Sequence, residues 1–500
     1  MGYSPELFEW ILGPGEIFVS EKVFHYAYSG AVEKDDCGRV ASAGSRGRGP
    51  YQRFLEEVVG IAARTAPTVA PLWQSWTNFG PNINDAIVRE MADLAARCGF
   101  VTLELDHGWQ LGGHGTTPDP EKFPDFDATA EYVRSRGLKL GLWVSDFRTE
   151  HDHDLREMRV GLVVPTLRRW GGTGMSWASG WRDYYADDLV GTSRRYGVAY
   201  YKQDFSNIKF GDIAEGHESR TRRESALRGL RGLLTAQRRI RQQAPEVVTE
   251  LTHEIYWGTP GVPCDLAALS AAALYHVPPN DYSGVGHWKQ RFTREWSYDP
   301  AEMRRLLLRG CWNARQRFYA HRGLPLYGIE YYGAATVNIG GSLSPEVQDR
   351  QICSWLMGQP LVFSGDLASL TEENIARYRN RFELLARLQK EYGIYRHFQF
   401  SGVPEPTDSD WHWWGKLNEA GYGAVVVVRG SGGEEARAVN VPWAREGTRY
   451  RVRACLADRE LGGFTGKELQ EGKLKLALPV YGQEILELAP WRRERRETPS

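Results

Sequence analysis

The sequence predicts a (β/α)8 barrel followed by a C-terminal antiparallel β-sandwich, with a short N-terminal stretch of strands and loop before the barrel. Between residues 70 and 395, short apolar strands alternate with amphipathic helices, a pattern typical of βαβ units and a parallel sheet. After about residue 396 the helical pattern ends, and strand-like segments separated by glycine-rich turns follow. The predicted regions are an N-terminal extension of short strands, loop and helix over 1–65, the barrel over 66–395, the sandwich over 396–490 and a charged tail over 491–500.

The ends of three predicted helices support the alternation. Gly99, Gly137 and Gly197 each follow a helical segment whose last turn contains arginine, and an apolar strand begins directly after each glycine. Glycine takes the left-handed position after a helix, and a cation there favours the negative helix end. About eight strands can be counted from Leu72 onward, the number that a closed barrel requires. An open doubly wound sheet is the alternative, but no glycine-rich phosphate loop follows any of these strands.

The composition argues against several classes of function. Lys and Arg total 62 and Asp and Glu total 63, so no strong field favours nucleic acid or an anionic membrane as partner. The sequence has no run of about 18 apolar residues, and its N-terminus lacks the basic region of a signal peptide. The six cysteines are scattered without a CxxC pair, as is typical of reduced thiols. We therefore expect a cytoplasmic protein without a disulfide framework.

The stretch Val198–Phe205 predicts a buried strand that ends on two charged residues, Lys202 and Asp204. Residues two apart in a strand point to the same face. In a parallel barrel, the C-terminal ends of the strands carry the catalytic side chains. A cation close to a carboxylate favours its ionised form, which suits a nucleophile. The alternative is a strand-end ion pair with a structural role only.

Acidic and tryptophan side chains occupy the other predicted strand ends as well. Carboxylates accept hydrogen bonds from sugar hydroxyls, and the apolar faces of sugar rings stack on tryptophan. Glycoside hydrolysis needs two carboxyl groups, one ionised and one protonated. The pattern therefore indicates a carbohydrate site. Its residues are Trp76, Asp106, His107, Trp109, Trp143, Asp146, Glu250, Asp281 and Asp366.

A metal site is the rival interpretation of the same region. His107, His114, Asp106 and Asp146 are of the residue types that bind metal ions. No HExxH spacing is present, however. We therefore expect neither a metal nor an organic cofactor.

A series of motifs runs in order along the predicted barrel. They are Gln74-Ser75-Trp76, Leu105-Asp106-His107-Gly108-Trp109, Pro118-Asp119-Pro120-Glu121-Lys122-Phe123-Pro124, Gly137-Leu138-Lys139-Leu140-Gly141-Leu142-Trp143, Lys202-Gln203-Asp204 and Pro360-Leu361-Val362-Phe363-Ser364-Gly365-Asp366-Leu367. Together they resemble the α-galactosidase clan of glycoside hydrolases. The resemblance is closest to family 36, which includes melibiases and raffinose synthases, and some features are those of family 27.

The resemblance implies a retaining mechanism that uses two carboxyl groups. Asp204 matches the family's nucleophile, in its Lys-x-Asp motif. The acid/base of the family lies near the end of the sixth strand, where Asp281 is the best match and Asp265 the reserve candidate.

The resemblance also implies which side chains contact the sugar. Lys202, Asp106 and Trp76 match substrate-binding positions, and Asp366 matches a loop position near the sugar. We expect the indoles of Trp76, Trp109 and Trp143 to form the pocket walls. Hydroxyls of the sugar are then held by Asp106, Lys202 and Glu250, with His107 beside them.

Three features of the sequence depart from the family pattern. His107 stands where the family usually has a second aspartate, which changes the contacts to the outer hydroxyls of the sugar. Val277 stands where the family has an arginine, four residues before the acid/base. The large N-terminal sandwich of family 36 is nearly absent, which leaves the oligomeric state open, a homo-oligomer included.

We therefore expect a retaining α-glycosidase, an α-galactosidase by resemblance, acting on an oligosaccharide or glycoside. A transglycosidase of the raffinose synthase kind would pass the same covalent intermediate to a sugar acceptor. A sugar-binding barrel without catalysis is the other alternative.

Overall fold

A computed structural model describes most of the chain. The described residues are 9–20, 33–34, 40–41, 50–61, 68–113, 115–145, 147–148, 163–169, 172–205, 208, 217–252, 255, 266–276, 326–330, 335–336, 344–356, 362–399 and 411–491.

The strands, numbered in chain order, fall into a parallel group and several antiparallel groups. They are β1 (Glu33–Lys34), β2 (Val40–Ala41), β3 (Leu72–Gln74), β4 (Thr102–Leu105), β5 (Lys139–Ser145), β6 (Phe147–Arg148), β7 (Val163–Arg169), β8 (Gly172–Met175), β9 (Val198–Asp204), β10 (Val248–Thr252), β11 (Leu274–His276), β12 (Ile329–Glu330), β13 (Ala335–Thr336), β14 (Val362–Ser364), β15 (Trp411–Leu417), β16 (Gly423–Arg429), β17 (Ala436–Val439), β18 (Arg449–Ala454), β19 (Arg459–Thr465), β20 (Leu474–Ala477) and β21 (Gln483–Pro490).

The helices lie mainly between the parallel strands. Those of at least five described residues are α1 (Pro50–Glu57), α2 (Asp85–Cys98), α3 (Phe126–Ser135), α4 (Trp181–Tyr196), α5 (Arg222–Gln243), α6 (Leu266–Ala271), α7 (Pro345–Trp355), α8 (Glu372–Tyr392) and α9 (Gly466–Gln470). A single helical turn, Trp76–Phe79, follows β3. Among the described helices, none combines the length and apolarity needed to cross a bilayer.

The parallel strands form one sheet in the order β12-β11-β10-β9-β5-β4-β3-β14-β13. Its two edge strands, β12 and β13, are separated in the chain only by residues 331–334. Five Cα–Cα steps of about 3.8 Å span at most about 19 Å. Nine strands laid flat at a spacing of about 4.8 Å would put the edges about 38 Å apart. The sheet therefore curls back on itself, and the predicted parallel arrangement of strands and helices is confirmed.

The helix boundaries follow the capping signals of the sequence. The Asn84 side chain accepts a hydrogen bond from the backbone N–H of Ile87 at 3.0 Å and so begins α2. Gly99 and Gly197, with φ of 85° and 70°, end α2 and α4 in the left-handed conformation. β4 begins at Thr102, shortly after Gly99, and β9 begins at Val198, directly after Gly197. Both strand starts agree with the prediction.

The inner face of the curled sheet is apolar at its amino end. Leu72, Tyr200, Val248, Leu274 and Val362 pack together there as a separate cluster. The outer face packs against the helices in the main core, with fully buried residues such as Trp73, Leu103, Tyr201, Leu251 and Phe363. The alternation of side chains along each strand separates the two faces.

Toward the carboxyl ends of the strands, the inner face becomes polar. The residues two positions after the apolar cluster include Gln74, Lys202, Glu250 and His276, and all four are buried. Asp204 follows Lys202 on the same face of β9. Polar groups therefore concentrate at the end of the sheet where a catalytic site was predicted.

An antiparallel sheet of β6, β8 and β7 lies between β5 and α4 and was not predicted. Gly172 and Gly174 make up half of β8, and glycine is depleted in strands. The sequence pattern there gives only a weak strand signal.

The N-terminal region contains the β1/β2 hairpin strands and α1 among its described residues. The segment 9–20 contains no strand and lies against α5. Thr221 donates to Glu9 at 2.6 Å, and the Arg228 guanidinium lies 3.9 Å from the Trp10 ring centroid. This segment is therefore held by the helix that follows the Asp204 strand.

The C-terminal region is antiparallel, as predicted. One sheet has the order β15-β16-β21-β18-β19, and β17 pairs with β20 in a second sheet. Charged side chains join this region to the helices of the parallel sheet. The Arg387 guanidinium in α8 donates two bonds of 2.8 Å to Glu487 in β21. The fully buried Arg350 in α7 donates to the carbonyl of Tyr481 at 2.7 Å.

Candidate active site

Three donors from the described part of the chain hold the carboxylate of Asp204 at the carboxyl end of β9. Trp143 Nε1 donates to Oδ2 at 3.1 Å. Thr252 Oγ1 and the backbone N–H of Phe205 both donate to Oδ1 at 3.1 Å. Three neutral donors fix the orientation of the carboxylate and stabilise its negative charge.

Lys202 forms a buried ion pair with Asp106. Nζ lies 2.9 Å from Oδ2, and the two side chains are 9% and 4% exposed. The backbone N–H of His107 donates to the other carboxylate oxygen, Oδ1, at 2.7 Å. Lys202 and Asp204 do point to the same face, but the ammonium is directed to Asp106, two strands away. The sequence pattern predicts this cation beside Asp204, so the observed partner differs from the prediction.

Four rings form a row beside these charged groups. His107 lies edge-on between two indoles, with ring centroids 6.0 Å from Trp76 and 5.0 Å from Trp143. Phe205 meets Trp143 in the same edge-on geometry at 6.3 Å. Burial lowers the pKa of His107 below its usual 6.5, although Asp106 and Asp204 oppose the shift. The imidazole is therefore neutral at pH 7, able to donate one hydrogen bond and accept one.

The loop that carries His107 has its shape imposed by Gly108. Its φ is 116°, and a Cβ there would lie 2.4 Å from the Cα of Pro81. Lys122 Nζ stabilises this close approach of the two backbone segments by donating to the carbonyls of Pro81 and Gly108, at 2.9 and 2.8 Å. The loop after β4 is thus fixed against the loop after β3.

Trp109 is not on a pocket wall, in contrast to the prediction. It is fully buried, and its ring stacks on Phe126 with centroids 5.2 Å apart. Its Nε1 donates to the backbone carbonyl of Trp143 at 2.9 Å. Gly108 turns the chain before Trp109, so the Trp109 side chain packs in the core. Its hydrogen bond there fixes the backbone of Trp143 on the side away from the site.

Glu250 also differs from its predicted role. Its side chain is fully buried, and Tyr200 donates to Oε2 at 2.6 Å. Oε1 lies 3.4 Å from Nδ1 of His276. Because both oxygens face protein groups, Glu250 lies beneath the site and does not hold a sugar hydroxyl in this arrangement.

Asp366 joins the loops after β14 and β3. Its Oδ1 accepts the backbone N–H of Ala368 at 3.0 Å, and its own N–H donates to Asn78 Oδ1 at 3.3 Å. Asn78 has a φ of 74°, which is unusual outside glycine. The described contacts of Asp366 therefore shape the loop, and the residue is 8% exposed.

Two polar residues of the site were missed by sequence reasoning. Ser75 Oγ accepts the backbone N–H of Asp106 at 2.9 Å. Thr252 contacts Asp204, as described above. Threonine is an ordinary strand residue, and the only available signal was its position at the end of β10, two residues after Glu250.

Several predicted residues lie outside the described part of the chain. They are the two acid/base candidates, Asp281 and Asp265, and the two metal-ligand candidates His114 and Asp146. Within the residues that the structure describes, no group of three or more His, Cys, Asp or Glu side chains could hold a metal ion.

Known proteins are similar in sequence to parts of this chain. No protein family model matches the chain. Alpha-galactosidase 3 of Arabidopsis thaliana is 36% identical over 81 residues, which are 14% of this chain and 18% of that protein. Probable alpha-galactosidase C of Aspergillus oryzae is 23% identical over 230 residues, which are 41% of this chain and 29% of that protein. The chain thus matches under a third of the length of these relatives.

Solved structures share the fold over most of the chain. The GH36 alpha-galactosidase AgaA of Geobacillus stearothermophilus has a TM-score of 0.62 at 16% identity, covering 88% of this chain and 59% of that one. The chain is similar to α-galactosidases in sequence and in fold. A GH27 β-L-arabinopyranosidase of the same organism, in complex with arabinose, has a TM-score of 0.54 at 15% identity, covering 87% of this chain and 99% of that one. At these identities the structural likeness concerns the fold alone.

Proposed function

We propose that this protein is a retaining glycoside hydrolase that removes terminal α-galactosyl residues by double displacement. The observation that carries the proposal is the Asp204 carboxylate, held by three donors at the carboxyl end of a parallel sheet. Asp204 attacks the anomeric carbon, and Asp281 serves as the acid/base. A retaining enzyme places its two carboxyl groups about 5 to 5.5 Å apart.

We further propose that the curled sheet closes into a full barrel. β12 pairs with β11, and β13 pairs with β14, each in parallel register. The two short strands are close in sequence and serve as the two halves of one seventh strand.

The substrate that we propose is an oligosaccharide or glycoside with a terminal galactose. A relative of the same fold has been solved in complex with raffinose, and another form with stachyose. Trp76, His107 and Trp143 then border the sugar, and the Lys202–Asp106 pair binds its hydroxyls. We propose a cytoplasmic enzyme that needs no metal or organic cofactor, on the basis of its balanced charge and scattered cysteines.

The test is hydrolysis of a panel of nitrophenyl α- and β-glycosides of galactose, N-acetylgalactosamine, arabinopyranose and glucose. We expect the α-galactoside to be cleaved, with α-galactose as the first product seen by NMR. Asp204→Ala should lower kcat roughly 10⁴-fold, the scale found when a member of a catalytic unit is removed. Release of β-galactose, or an Asp204→Ala variant with wild-type turnover, would contradict the proposal.

A further inference from the structure

The Thr252 hydroxyl contacts the Asp204 carboxylate from the neighbouring strand. β10 and β9 pair in parallel with Leu251 beside Gln203, so Thr252 comes beside Asp204. Its Oγ1 donates to Oδ1 at 3.1 Å, and the residue is 1% exposed. A β-branched side chain in a strand has few rotamers. The donor is therefore in place before a substrate arrives.

A second donor holds the same oxygen. The backbone N–H of Phe205 lies 3.1 Å from Oδ1. Phe205 has a φ of 54°, a left-handed conformation that is strained for a non-glycine residue. A carboxylate oxygen offers two lone pairs, so both lone pairs of Oδ1 are directed at protein donors. Attack on a substrate from Oδ1 would require one of these two bonds to break.

We propose that Thr252 is a positioning residue that makes Oδ2, the oxygen facing Trp143, the attacking atom of Asp204. This inference rests on the proposed double displacement. In the first step, Oδ2 bonds to the anomeric carbon while the bond from that carbon to the leaving oxygen breaks. The leaving oxygen takes a proton from the acid/base, and Oδ1 becomes the carbonyl oxygen of the glycosyl ester.

In the second step, the oxygen of a water molecule bonds to the anomeric carbon and gives its proton to the acid/base. The bond between Oδ2 and the sugar breaks, and the electron pair returns to the carboxylate. Thr252 and the Phe205 N–H donate to Oδ1 throughout, so they orient Asp204 as a nucleophile and stabilise it as a leaving group. Donors fixed in advance at a site of changing charge are effective in this way.

The kinetic test compares Thr252→Val with Thr252→Ser. Valine keeps the shape and removes the donor, while serine keeps the donor. We expect the valine variant to lose roughly 10²-fold in kcat, the effect of removing one such donor, with little change in KM or in the unfolding temperature. The serine variant should retain most of the activity. A valine variant with wild-type kcat would overturn the inference, because packing alone would then explain Thr252.

The structural test is a crystal structure of the wild-type enzyme trapped with 2-deoxy-2-fluoro-galactosyl fluoride. We expect an ester through the oxygen that faces Trp143, with the other oxygen within hydrogen-bond distance of Thr252 Oγ1 and Phe205 N. An ester through the oxygen that faces Thr252 would overturn the inference and leave the proposed function intact. An ester on a side chain other than Asp204 would show that the proposed nucleophile, and with it the proposed function as stated, is wrong.

Discussion

The ammonium of Lys202 lies 2.9 Å from the carboxylate of Asp106, across β5 from the strand that carries the lysine. The Asp204 carboxylate, two residues further along the same strand, takes hydrogen bonds from Trp143, Thr252 and the backbone N–H of Phe205. The ammonium of Lys202 is thus paired with the carboxylate of Asp106. The site therefore contains a charge-compensated pair beside a separately oriented carboxylate. In the proposed mechanism the Lys202–Asp106 pair binds the sugar and Asp204 attacks it.

Breaking the Lys202–Asp106 pair should be costly. Lys202→Met leaves Asp106 buried without its cation, and removal of one partner of a buried pair costs about 3 to 5 kcal/mol. Chemical denaturation should show this loss in the single variant. The double variant Lys202→Met, Asp106→Asn removes both charges and should recover much of the stability while remaining inactive. Single variants as stable as the wild type would show that solvent compensates the charge.

His107 should determine which sugar is preferred. The neutral imidazole accepts only one hydrogen bond, whereas an aspartate accepts several. We expect His107→Asp to shift the ratio of kcat/KM toward the α-galactoside over the arabinopyranoside by roughly 10-fold, through the outer hydroxyl that only galactose carries. His107→Asn is the control, since it is neutral and similar in size to aspartate. An equal shift in both variants would assign the effect to the lost ring.

Gly108→Ala should disturb the site although the change is one methyl group. The new Cβ would meet the Pro81 backbone at 2.4 Å in a left-handed conformation, so the backbone next to His107 must move. We expect a loss of about 1 to 3 kcal/mol in stability together with a fall in kcat. Gly137→Ala is the matched control, because Gly137 has a φ of 80° with no atom within 4 Å of the added Cβ. It should cost stability by backbone strain only and leave kcat unchanged.

Lys416 should make stability depend on pH. It is 1% exposed in β15, and burial lowers its pKa from 10.5 to about 7. The unfolded chain therefore binds more protons than the folded chain between pH 7 and 10.5, so stability rises with pH through this window. Below pH 7 the full penalty applies, roughly 5 kcal/mol for a shift of this size.

Lys416→Met tests this expectation directly, because methionine fills a similar volume without a charge. Thermal unfolding should show the variant more stable than the wild type at pH 6, with the difference shrinking steadily as the pH rises from about 7 toward 10.5. A constant difference between the two proteins across this range would mean that the ammonium finds compensation in the folded state.

The alternation of strands and helices was predictable because it depends on local signals. Asn84 begins α2 and Gly99 ends it through contacts within a few residues. The inward direction of Lys202, Asp204 and Glu250 also follows from the period of a strand. These predictions needed no knowledge of the rest of the chain.

Three features could not be read from local pattern. Trp109 lies beyond the end of β4, where the φ of Gly108 redirects the chain, so the strand period no longer applies. Glu250 points inward as predicted, but its depth depends on Tyr200 and His276 in neighbouring strands. Lys202 finds Asp106 only because β5 brings the two strands into register.

The guanidinium contacts of Arg350 and Arg387 reach from the helices around the parallel sheet into β16 and β21 and the turn between β20 and β21. Separating the two regions would break these bonds and take the buried guanidinium of Arg350 away from its two carbonyl acceptors. The C-terminal sheet is therefore part of the cooperative unit that keeps the Asp204 strand folded, and calorimetry should record one melting transition for both. A truncated protein that lacks this sheet should be insoluble and inactive.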